Sequence, residues 1–193
     1  MTTSHTFIDG CGDNEFEFVN QGESENYVGF TDTDMQDYHR DFALITESDS
    51  SEIIRFADRV KTSRLSSEEV SGHITENGLL NREGSSNLTK HGARTCTEQG
   101  PLVEVYDGGR CSGTVNFIRT DPLCSGGGDS GAPYYEIWED SEGCEWAAIA
   151  GIHIGTPVGS PNTESIGCAA HEIADAYDIE FGPRFDSPCG PIQ

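Results

Sequence analysis

The densest chemistry in this chain lies in one run, Cys124-Ser125-Gly126-Gly127-Gly128-Asp129-Ser130-Gly131-Ala132-Pro133. A serine follows an aspartate and is packed among glycines. Glycine has no Cβ and tolerates φ > 0, so a turn built this way lets backbone N–H groups approach a reacting atom. As a short motif alone, the run also fits a glycine-rich surface loop with an ordinary serine.

The run resembles the Gly-Asp-Ser-Gly-Gly/Ala-Pro nucleophile loop of chymotrypsin-like serine proteases. Its Cys-x-Gly-x-Gly-Asp-Ser spacing is most similar to the bacterial branch, the streptogrisins and α-lytic protease. The resemblance implies Ser130 as nucleophile. It implies the N–H groups of Gly128 and Ser130 as an oxyanion hole, donors that meet charge developing only in the transition state. Asp129 then shapes the loop and is not a triad member.

Two more segments carry the resemblance. Met1-Thr2-Thr3-Ser4-His5-Thr6-Phe7 resembles the Thr-Ala-Ala-His segment that holds the general base, which implies His5. Asp41-Phe42-Ala43-Leu44-Ile45 resembles the Asp-Ile-Ala-Leu-Leu segment, which implies that Asp41 orients His5 and stabilises its imidazolium. His39 stands two residues before Asp41, too close in sequence to face it across a cleft. The implied chemistry is acyl transfer from a peptide or protein substrate through an acyl-enzyme, with no cofactor and no metal.

Gly151-Ile152-His153-Ile154-Gly155-Thr156 is similar to the strand that lines the specificity pocket in this family, and its Gly-Ile-His-x-Gly resembles glutamyl endopeptidases. That implies substrate contacts from His153, Ile154, Gly155 and Thr156, joined by Cys124 and Gly126. His153 is then either a ligand for a substrate carboxylate or a buried, hydrogen-bonded histidine. The family carries a serine where Ile154 stands, so that support for Asp41 is missing. Cys124 and Cys168 match the bridge that closes the pocket wall in α-lytic protease.

These residues need strands to hold them. Alternation predicts short strands within 16–30, joined by a polar turn over 20–26. Ile53, Ile54, Phe56 and Val60 fit a strand or one helical turn. The stretch 66–86 reads as a connection. Lys90-His91-Gly92-Ala93-Arg94-Thr95-Cys96-Thr97 resembles the segment that opens the second barrel of the bacterial branch. A hairpin follows, with strands at 103–106 and 114–118, a turn at 107–109, and Cys96 and Cys111 as a possible bridge across it. A second hairpin pairs 134–138 with the apolar run 146–154, which reads as buried on both faces. Helical spacing occupies 169–177, and the tail 183–193 reads as loose.

The expected fold is all-β, with two antiparallel Greek-key β-barrels and a short C-terminal helix. Residues 1–70 make the first barrel and 71–193 the second. The first barrel is expected to be incomplete at its N-terminus, because family members place strands before the histidine and only four residues precede His5. An upstream segment carrying a signal peptide is expected to supply them.

Composition narrows the partners. Acidic residues number 34 against 11 basic ones, a formal net charge of −23, with Lys61 and Lys90 the two lysines. The sign is wrong for nucleic acid or an anionic membrane. Acid excess with few lysines reads as adaptation to high salt, where screening shortens to roughly 3 Å at 1 M. Seven cysteines suggest an oxidising, extracellular compartment. Asp32-x-Asp34 hints at a calcium loop, but Asp37 and Ala43 stand where that loop needs glycine and glutamate. Asn87-Leu88-Thr89 is a glycosylation sequon. A monomer is expected. The competing function class is an inactive protease-like binding domain or a truncated fragment.

Overall fold

The computed structural model describes residues 17–20, 27–31, 36–37, 40–43, 46–47, 59–61, 66–108, 115–139, 142–157, 159–160, 163–178 and 184–185. His5, His39, Asp32, Asp34, Ile53, Ile54, Phe56, Cys11, Cys111 and Cys189 lie outside them.

The N-terminal part holds β1 (Glu17–Asn20), β2 (Tyr27–Thr31), β3 (Gln36–Asp37), β4 (Phe42–Ala43) and β5 (Thr46–Glu47). As expected, β1 and β2 pair antiparallel, and β5 joins them on the other side of β2. The short β3 and β4 form their own antiparallel ladder.

Next come β6 (Arg59–Lys61), β7 (Ser67–Ile74) and α1 (Glu76–Leu80), then β8 (Asn87–Gly92), β9 (Cys96–Gly108) and β10 (Val115–Thr120). The chain continues with β11 (Pro133–Glu139), β12 (Glu145–Gly155), β13 (Ser165–Ala169), α2 (Ala170–Tyr177) and β14 (Arg184–Phe185). Six strands close in the order β11-β8-β9-β10-β13-β12, with β12 pairing back to β11. Closure leaves these strands no open edge at the ring. Most of the interior is apolar, with Leu88, Leu102, Ile118, Leu123, Tyr134, Ala148 and Ala150 all 2% exposed or less. Each such Leu or Ile contributes about 1.5–3 kcal/mol by leaving water.

One connection matters most. The neighbours of β10 are β9 and β13, while β11 lies between β8 and β12. The segment 121–132 must therefore cross the end of the barrel, and it carries the glycine-rich run.

The stretch 66–86, expected as a connection, carries β7 and α1. β7 runs parallel to β12, and Thr75 caps α1 by accepting from Gly78 N at 3.1 Å. At the turn expected over 107–109, Asp107 and Gly108 instead stay in the ladder opposite Asn116 and Val115, and Gly109 lies outside the described residues. Asn116 Nδ2 donates to Asp107 Oδ1 at 2.9 Å, which holds the strand on course. In the tail, Arg184 and Phe185 pair with His73 and Ile74 of β7. The apolar strand and the helix are as expected, with β12 buried from Ala147 to His153 and α2 packing Ile173 and Ala174 inward.

Candidate active site

The crossing loop makes two tight reversals. Asp129 N donates to Gly126 O at 3.0 Å, and Ala132 N donates to Asp129 O at 3.0 Å. Gly128 and Gly131 adopt φ of +100° and +84°, left-handed values that glycine takes without strain. The loop is then stitched to β12. Gly131 N donates to His153 O at 2.9 Å, and His153 N donates to Ala132 O at 2.8 Å. Ser130, inside the second reversal, is half-buried and donates from Oγ to the Ile154 carbonyl at 3.4 Å.

Strand parity fixes what lies beneath. Along β8 the buried residues are Leu88, Lys90 and Gly92, the inward-facing set of a period-two strand. Lys90 is thus forced inside. Its Nζ donates to Asp129 Oδ2 at 3.1 Å and to the Cys124 carbonyl at 2.8 Å. Asp129 also accepts from Arg94 N at 2.7 Å, Thr95 N at 3.2 Å, Thr95 Oγ1 at 2.8 Å and Gly126 N at 3.1 Å. Burial works to raise the Asp129 pKa. The bonds from Arg94, Thr95 and Lys90 outweigh it and hold the carboxyl well below the usual carboxylate range. A Cβ on Gly92 would lie 2.2 Å from Asp129 Oδ1, so β8 makes room for this carboxylate by lacking one.

On the other wall, β12 bulges. His153 pairs with Gly167 and Gly155 with Ile166, leaving Ile154 as the extra residue. A bulge of this kind re-aims side chains beside it. His153 is 1% exposed, and both ring nitrogens meet hydroxyls. Nε2 is 3.0 Å from Ser125 Oγ. Nδ1 is 2.7 Å from Tyr134 Oη and 2.9 Å from Ser165 Oγ, and those two hydroxyls contact each other. Burial pushes the Tyr134 phenol pKa up, so it stays a neutral hydrogen-bonding group.

These elements enclose an open pocket of about 310 Å³, lined by Ser125, Gly126, Gly127, Ser130, His153, Ile154, Gly155 and Thr156. Of the residues expected at the site, Gly126, Ser130, His153, Ile154, Gly155 and Thr156 come together here. Cys124 and Gly128 flank the lining without joining it. Asp41 is 1% exposed at the entry to β4, with φ of 50°. Its charge reaches the barrel. Burial first, then Glu172, Asp37 and Asp41, push the Cys168 thiol pKa up, against Arg40. The base expected at His5 lies outside the described residues.

The expected Cys124–Cys168 bridge does not form, and Cys96 is likewise a free thiol rather than half of a bridge to Cys111. Cys168 is sealed in a cluster with Phe117, Ile152 and Ile173. Cys124 is exposed on the crossing loop, where its N–H donates to Glu98 Oε2 at 2.7 Å. Among the described residues, no cluster of His, Cys, Asp or Glu could hold a metal ion.

The sequence reading missed Ser125, Tyr134 and Ser165 around His153, and the role of Lys90. Lys90 did carry a signal, as one of only two lysines in the chain.

No family model matches this sequence, and no curated protein does. Among solved structures, the chain is similar to a glutamic-acid-specific serine protease described as using a histidine triad in substrate binding. The TM-score is 0.66 at 20% identity, over 93% of this chain and 83% of that one. The closed six-stranded barrel and the short C-terminal helix match a chymotrypsin-like fold.

Proposed function

We propose that the chain is a serine endopeptidase that works through an acyl-enzyme. The observation that carries the reading is Ser130 itself. It sits in the second of two glycine-permitted reversals, on a loop anchored from beneath by Asp129 and Lys90, and it opens on a pocket. In this reading Ser130 Oγ attacks the peptide carbonyl, His5 takes its proton, and Asp41 orients the imidazole. The N–H groups of Gly128 and Ser130 receive the oxyanion, worth about 3–4 kcal/mol per donor where measured.

The pocket supports an acidic side chain before the scissile bond. His153 Nε2 and Ser125 Oγ meet at its wall, and an imidazole can take a proton near neutral pH to face a carboxylate. Specificity for glutamate in the structural neighbour agrees with this. We also read the acid excess as adaptation to high salt.

A fluorophosphonate probe with mass mapping tests the central reading. Labelling of Ser130, lost in Ser130→Ala together with peptide turnover, is the expected result. Turnover retained in Ser130→Ala would overturn the assignment. A folded chain that neither labels nor cleaves would instead be a protease-like binding domain.

A further inference from the structure

The reversal between β3 and β4 carries Arg40 and Asp41. Asp41 is a buried non-glycine residue at φ of 50°. Such a residue keeps that conformation only where its surroundings over-determine it.

The hydrogen bonds of its neighbour Arg40 tie the turn to the barrel. Asp37 closes the turn from within, since its Oδ1 accepts from Arg40 N at 3.1 Å and its Oδ2 from Arg40 Nη1 at 2.6 Å. Arg40 Nη2 then leaves the hairpin and reaches Glu172 Oε2 on α2 at 3.4 Å, across 132 residues of sequence. Glu172 is itself held, because its Oε1 accepts from Asn116 N on β10 at 2.9 Å. Asn116 Oδ1 in turn meets His171 Nε2 at 3.0 Å. Among the described residues, Arg40 Nε is buried without a hydrogen-bond partner. That cost is tolerable because both Nη groups are engaged.

We propose that Arg40 is a positioning residue. One guanidinium, shared between Asp37 and Glu172, sets how the Asp41 turn sits against the barrel that carries Ser130. This rests on reading Asp41 and Ser130 as parts of one site. A guanidinium fork spans two carboxylates at once, whereas a lysine ammonium meets them as a point charge. Arg40→Lys should therefore rescue only in part.

The test uses the full chain with Arg40→Lys, Arg40→Met and Glu172→Gln. Asp37 is left in place, so every variant keeps the bond from Arg40 N to Asp37 Oδ1, and Glu172→Gln keeps the side-chain bond from Arg40 Nη1 as well. Hydrogen exchange at the amides of Phe42 and Ala43, compared with those of β8 and β9, reads the docking without any need for turnover. Peptide kcat and KM, and the rate of Ser130 labelling, read the consequence. Glu172→Gln and Arg40→Met should speed exchange at Phe42 and Ala43 by about 5-fold, the loss of a modest ion pair. They should lower kcat on the order of 10-fold with KM little changed, as a displaced catalytic group would. Arg40→Lys should fall between. Unchanged exchange and kcat in Arg40→Met would overturn the proposal. So would exchange that rises equally across the barrel, which marks a plain stabilising ion pair. Selective loss of protection in a chain whose wild type never labels at Ser130 would uphold the docking and overturn the catalytic reading.

Discussion

Lys90 Nζ lies 3.1 Å from Asp129 Oδ2, and both side chains are wholly removed from solvent. The ammonium also holds the Cys124 carbonyl, so one buried cation pins the loop at its start and beside its serine. A buried pair of this kind adds little net stability when intact, because desolvation opposes attraction. Breaking it is another matter.

Lys90→Met keeps much of the side-chain volume and removes the charge. Leaving a buried carboxylate without its partner should destabilise the fold by about 3–5 kcal/mol. Denaturant unfolding would measure it. A loss below about 1 kcal/mol would mean that the four other hydrogen-bond donors hold Asp129 unaided.

The depressed pKa of Asp129 predicts the direction of a pH effect. Unfolded, the carboxyl titrates near its ordinary value of about 3.9. Folded, it titrates lower. Its contribution is therefore fully present above the unfolded pKa and is lost as pH falls from there through the folded value. Melting temperature from pH 6 downward should drop more steeply in the wild type than in Asp129→Asn. Parallel curves would contradict the geometry.

Gly92→Ala tests the close approach. Its Cβ would meet Asp129 Oδ1 at 2.2 Å, and that oxygen is held by two backbone N–H groups. Overpacking of this kind costs about 1–3 kcal/mol. Labelling of Ser130 should slow as the loop shifts. Gly127→Ala is the control, since nothing lies within 4 Å of a Cβ there. Equal behaviour of the two variants would refute the steric argument.

Preference for an acidic residue before the scissile bond should depend on His153 and, through it, on Tyr134. His153→Ala should abolish that preference in a peptide library. Tyr134→Phe removes one hydroxyl from Nδ1 and should weaken it about 2–10-fold, the worth of one hydrogen bond. A preference for large apolar residues, indifferent to both changes, would make His153 a core histidine only.

The net charge of −23 predicts dependence on salt. Repulsion among carboxylates should open the fold at low ionic strength, and screening should restore it. Circular dichroism and melting temperature between low and molar sodium chloride read this directly. Identical curves across the range would remove the case for salt adaptation.

What the sequence determined alone was local. Glycine at 128 and 131 admits the reversals that present Ser130, whatever lies around them. Alternation marked the strands near 17–31, and an unbroken apolar run marked β12. Helical spacing marked α2. Each of these is decided by backbone preference and side-chain period over a few residues. Only the tertiary structure decided the rest. Strand parity placed Lys90 inside the barrel, but Asp129 stands 39 residues away, and the two meet only because segment 121–132 crosses the barrel end. Tyr134 and Ser165 reach His153 because β11 and β13 flank β12. The same order sealed Cys168 among apolar side chains and left Cys124 in water, against the bridge their positions suggested. Sheet order sets which distant residues share a face, and no short window of sequence carries that information.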